Sequence, residues 1–97
     1  MATFSYPLRC YASGCQRPAA YKIAARWSDG LTAELKTYSL CCPECLAAAF
    51  RQSQQKQAAC RLAPGESLQP PGIYRLVRGQ RDQKLERLLE LEKQLGA

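Results

Sequence analysis

Six cysteines and no histidine occur in this chain of 97 residues, and four of the six form two close pairs. Four residues separate Cys10 from Cys15, while Pro43 and Glu44 separate Cys42 from Cys45. In a reducing compartment such pairs are metal ligands or redox groups more often than disulfides. Two thiolate pairs from separate loops meet the soft, tetrahedral donor requirement of zinc. A chain this short buries a modest fraction of its surface, so a structural metal adds stability that a small core does not supply. The fold must therefore bring residues 10–15 and 42–45 to one point.

The sequence between the pairs predicts a β-hairpin over Tyr21 to Thr37. Tyr21, Ile23, Ala25 and Trp27 alternate with Lys22, Ala24 and Arg26, the period-two pattern of a half-buried strand. Ser28-Asp29-Gly30 is the turn signal, and Leu31, Ala33 and Leu35 continue the alternation. A two-residue Asp-Gly loop would pair Ala24 with Leu35 and Ile23 with Lys36, which mixes the faces. A three-residue loop, with Gly30 left-handed in a G1 bulge, puts Tyr21, Ile23, Ala25, Trp27, Leu31, Ala33 and Leu35 on one side. That second register is the expected one.

Cys45 to Arg61 has high helix propensity and no internal Gly or Pro, and Pro43 suits the first turn. The helix is expected to stop before Pro64-Gly65. Residues 62–72 read as a linker with turn signals at Pro64-Gly65 and Pro70-Pro71-Gly72. A short strand follows over Ile73 to Val77. Asp82 can then cap a final helix running to about Leu95 and ending at Gly96. Leu85, Leu88, Leu89, Leu91 and Leu95 share one broad face of that helix, with Lys84, Glu86, Glu90 and Lys93 largely opposite. The expected organisation is small α+β: a four-cysteine zinc domain over residues 1–61, the linker, and over 73–97 a strand and amphipathic helix packing on the core or on a partner.

This order of cysteine pair, hairpin, and cysteine pair at a helix start resembles the treble-clef zinc finger group, over roughly residues 10–61. In that group the first pair lies on a turn called a zinc knuckle and the second opens the helix. The resemblance implies Cys10 and Cys15 as knuckle ligands, and Cys42 and Cys45 as helix ligands, of one structural Zn2+. The first pair is wider than the common knuckle spacing, and Cys41 beside Cys42 is a rival ligand. The ordinary chelating spacing of Cys42 with Cys45 favours Cys42. A zinc ribbon would put the second pair on another knuckle between strands, which the helical sequence after Cys45 argues against. Cys41 and Cys60 read as spare thiols.

A four-thiolate site leaves no open position for water or substrate, and the chain has no histidine to act as a base near neutral pH. The Cys42–Cys45 pair lacks the βαβ setting of a thioredoxin-like redox centre, and no glycine-rich phosphate loop occurs. The expected role is therefore non-catalytic binding, with no small-molecule substrate. One candidate is a protein-interaction or adaptor module that docks a partner, or a second copy, through Leu85, Leu88, Leu91 and Leu95. The alternative is nucleic-acid binding through Lys22, Arg26 and Lys36 on the hairpin with Arg75, Arg78 and Arg81. Formal net charge is +6, and four zinc-bound thiolates with their ion would lower it to about +4. No stretch approaches the roughly 20 apolar residues of a membrane span. Residues 1–9 do not read as a signal peptide, so a cytoplasmic location is expected.

Overall fold

The computed structural model of the chain describes residues 9–12, 14–76 and 86–96. Strands β1 (Tyr21–Ser28) and β2 (Ala33–Cys41) are followed by a 3-10 turn (Pro43–Cys45) and helix α1 (Leu46–Ala58). Strands β3 (Ser67–Leu68) and β4 (Gly72–Arg75) and helix α2 (Leu89–Gln94) complete the α+β arrangement. β1 is the hub of one antiparallel sheet. It pairs with β2 on one edge and with β3 and β4 on the other.

The hairpin forms, with a different register. Ser28 pairs with Ala33, so the loop holds Asp29, Gly30, Leu31 and Thr32. Asp29 Oδ1 accepts the backbone N–H of Leu31 (2.8 Å) and of Thr32 (2.7 Å), and Gly30 sits at φ +92°. Gathering those two amides requires Leu31 and Thr32 inside the loop, which overturns the three-residue turn. Leu31 is 94% exposed and Ala33 is also exposed, so neither joins the buried face. Beyond Thr37 the strand continues to Cys41. A bulge accommodates Tyr38, which lies between the pairs Ala24–Thr37 and Ile23–Ser39. Cross-strand partners share a face, so Lys36, opposite Ala25, lies on the other side of the sheet from Lys22 and Arg26.

Helix α1 buries Leu46, Phe50 and Ser53, a single stripe at helical spacing. Leu46 and Phe50 of that stripe meet Ile23, Ile73, Cys10, Cys41 and Cys42 in one cluster. Burying a side chain the size of Phe50 or Ile23 stabilises by about 1.5–3 kcal/mol. The helix ends at Ala58, short of Arg61, where the N–H of Ala59 bonds Gln55 O and that of Cys60 bonds Gln57 O. Cys60 is thus just outside the helix.

Within the stretch read as linker, Ser67–Leu68 pairs with Ser28 and Trp27. β4 then sets Ile73 opposite Ile23. Val77, Arg78, Arg81, Asp82, Lys84 and Leu85 lie outside the described residues. Residues 86–88, expected to be helical, are instead extended along β4. Arg75 N–H bonds Glu86 O (2.8 Å) and Leu88 N–H bonds Ile73 O (2.8 Å). The outward backbone groups of Ile73 and Arg75 need partners, and that demand outweighs helix propensity here. α2 is consequently short. Leu88, Leu91 and Leu95 pack against the chain's own core, while Leu89 stays 55% exposed.

Glu92, only 4% exposed, closes this segment. Its Oε2 accepts Ile73 N–H (2.9 Å) and Arg87 Nε–H (2.9 Å), and its Oε1 accepts Arg87 Nη2–H (3.1 Å). The carboxylate thereby stands in for the next strand at the edge of β4. Gly72 lies beneath the same arginine: a Cβ there would sit 2.8 Å from Arg87 Nε. Among the described residues no helix is long and apolar enough to cross a membrane.

Candidate metal centre

Two loops converge at the Tyr21–Cys41 end of the sheet. In the first, Arg9 bridges Pro18, Cys10 N–H bonds Arg17 O (3.0 Å), and Cys15 N–H bonds Ala12 O (3.0 Å). Gly14, at φ +78°, supplies the left-handed step that closes this turn. Tyr11 N–H bonds Leu40 O (2.8 Å) and Ala20 N–H bonds Cys41 O (2.9 Å), fastening the loop to the end of β2. In the second, Pro43 starts the 3-10 turn and Cys45 N–H bonds Cys42 O (3.2 Å), which turns both side chains to one side.

The sulfurs of Cys10, Cys15, Cys42 and Cys45 all lie within 4.8 Å of one another. Those of Cys15 and Cys42 are 3.7 Å apart. A tetrahedral ion with bonds of about 2.3 Å to sulfur requires sulfur–sulfur edges of about 3.8 Å. The donor set therefore fits such an ion with small side-chain adjustments. Cys10 and Cys42 are buried, whereas Cys15 and Cys45 are half-buried. All-thiolate tetrahedral sites suit zinc or iron.

The sulfurs do not share charge equally. Burial opposes ionisation of Cys10, yet the backbone N–H groups of Ala12 and Cys42 and the thiols of Cys45 and Cys15 bring it down to about 7. Hydrogen bonding with the Cys42 and Cys10 sulfurs, together with burial, pushes Cys45 up to about 12. Four thiolates this close repel one another, and a divalent cation among them relieves that repulsion. Arg17 adds a positive charge beside them. It is held above its ordinary value by Glu44 first, then by Cys42 and Cys15, and its Nε lies 3.7 Å from Glu44 Oε2. Sequence reasoning missed this pair, although Glu44 sits inside the second cysteine motif and Arg17 just after the first.

Cys41 is not part of the cluster. It pairs with Tyr21, and its thiol is fully buried in the core. Burial, helped by Cys10 and Cys42, pushes it up to about 12, so it stays neutral. Cys60 is half-buried, with its sulfur 3.8 Å from Arg61 O. All six cysteines are free thiols. The basic residues are dispersed: Lys36 Nζ lies 5.8 Å from the Tyr38 ring centre, and Arg75 pairs with Glu86 at 3.4 Å. The sequence matches no protein-family model, and neither curated proteins nor solved structures yield a significant match.

Proposed function

We propose that this chain is a structural-zinc module that works by binding other molecules and performs no catalysis. The observation that carries this reading is the convergence of four sulfurs from two loops within 4.8 Å. Cys10, Cys15, Cys42 and Cys45 would hold the ion, which would supply charge neutralisation and cross-link the loops. With all four tetrahedral positions taken by protein thiolates, no position remains for substrate. The order of knuckle, β1–β2 hairpin and cysteine pair at the start of α1 supports a treble-clef-like organisation. A reducing compartment such as the cytoplasm suits the six free thiols.

Protein interaction is favoured over nucleic-acid binding. Arg17, Arg75 and Arg87 each pair with a carboxylate. The register also separates Lys36 from Lys22 and Arg26, which breaks up the cationic surface expected on the hairpin. The test is native mass spectrometry with elemental analysis of the isolated protein. One zinc per chain, and loss of near-ultraviolet circular dichroism on chelation, are the expected results. A metal-free protein with unchanged tertiary signal, or stoichiometric iron in place of zinc, would overturn the assignment. Salt-dependent binding of DNA or RNA would restore the alternative role.

A further inference from the structure

β2 is an edge strand whose outer hydrogen-bonding groups follow from its neighbours. Ile73 turns its N–H and C=O away from β1, toward Glu92 and Leu88. Ile23, opposite Ile73, therefore turns its own groups toward β2. Alternation along β1 then points the groups of Ala24 and Arg26 away from β2, as the bond from Gln69 N–H to Arg26 O shows. Their partners in β2, Thr37 and Leu35, accordingly face outward, and so does Ala33. Among the described residues, no hydrogen bond reaches these outward groups. The edge is closed, among the described residues, only beyond them, where Tyr11 N–H bonds Leu40 O.

This edge is self-complementary in one register. Antiparallel pairing with a second copy centred on Leu35 sets Leu35 against Leu35 and Ala33 against Thr37, so outward groups meet outward groups. The same register sets Glu34 against Lys36 of the other copy, twice, at the non-hydrogen-bonded positions where side chains lie closest. Glu34 and Lys36 are both exposed. A slip of two residues in either direction puts Glu34 on Glu34 or Lys36 on Lys36. The centred register also carries Leu31, 94% exposed, toward Tyr11, 63% exposed, beside Leu40 of the other copy. From the open edge and its charge pattern we infer that this chain forms a two-fold dimer by antiparallel β2–β2 pairing, which makes one continuous sheet across both copies.

Sedimentation equilibrium of the full chain over a range of concentrations tests this. The expected result is a reversible dimer in which the Ala33, Leu35 and Thr37 amides gain hydrogen-exchange protection as concentration rises. Glu34→Lys alone and Lys36→Glu alone each place like charges in both contacts, which should weaken self-association by roughly tenfold or more. Mixing those two variants should produce a heterodimer, because one copy then presents two lysines to the two glutamates of the other. A strict monomer overturns the inference. So does a dimer that both substitutions leave intact, since the contact then lies elsewhere. Concentration-independent protection of the three amides would assign the edge to residues of the same chain, and that too would overturn it.

Discussion

Replacing Glu92 by Ala tests how the C-terminal segment is held. The substitution removes the acceptor of Ile73 N–H, which lies in a fully buried residue. Leaving such a donor without a partner costs about 1–3 kcal/mol. The ion pair with Arg87 is lost as well, but that side chain is 39% exposed and regains water, so its share is at most about 1 kcal/mol. The expected loss is therefore about 1–4 kcal/mol, against a total stability of about 5–15 kcal/mol for a natural domain. Since each kcal/mol moves the midpoint of so small a domain by roughly 4–8 °C, Tm should fall by roughly 5–30 °C. Glu92→Gln retains an acceptor for Ile73 and should cost about 1 kcal/mol. Urea and thermal unfolding of the metal-loaded protein, followed by circular dichroism, measure this, with the exposed Glu90→Ala as control. Should Glu92→Ala match Glu90→Ala to within about 0.5 kcal/mol, the carboxylate is not holding the edge of β4 and the reasoning fails.

Cys10→Ser and Cys45→Ser should each abolish stoichiometric zinc binding in elemental analysis, while Cys41→Ala and Cys60→Ser should retain one ion per chain. Gly72→Ala should destabilise by about 1 kcal/mol because its Cβ meets an arginine pinned by Glu92, and the penalty should shrink in an Arg87→Ala background when measured as a double-mutant cycle. Asp29 is held below its ordinary value of 3.8, first by Thr32 N–H and then by Leu31 N–H. Its folded-state pKa is depressed, so its contribution is present above the unfolded value and disappears as pH falls through the folded one. Nuclear magnetic resonance should accordingly show the Leu31 and Thr32 amides shifting together below pH 4 (about the unfolded value) and not above it.

The sequence made the four-cysteine cluster legible because chelating spacing is a local property, read directly from Cys42 and Cys45. Strand β1 was legible for the same reason, since its alternation needs no knowledge of its partners. Register was not, because Asp29 decides the loop by collecting two amides, and the alternation of Leu31, Ala33 and Leu35 continues past the turn regardless. The final helix was overestimated over residues 86–88, where β4 imposes extended pairing that propensity does not reveal. One signal there was available. Glu92 lies four residues after Leu88 and so falls on the leucine stripe itself, where a carboxylate needs a buried partner. Cys42 was separable from Cys41 by its chelating spacing with Cys45, and the pairing of Cys41 with Tyr21, a long-range fact, supplies the structural reason.

The bulge at Tyr38 lets one strand answer to two anchors that were fixed independently. The Asp29 loop dictates the phase of residues 33–37, and the sulfur cluster dictates the phase of residues 39–42. These two requirements disagree by one residue, and Tyr38 absorbs the mismatch. Its hydroxyl is buried without a hydrogen-bond partner among the described residues, as befits a position chosen for spacing. The strand therefore behaves like a vernier. A residue gained or lost at the hairpin tip leaves the cysteines where they are. Loss of Tyr38 itself would give an unbroken ladder with every other pairing conserved. Length changes between Ser39 and Cys42 have no such buffer, and there a single residue would exchange which of two adjacent thiols faces the core and which faces the sulfur cluster.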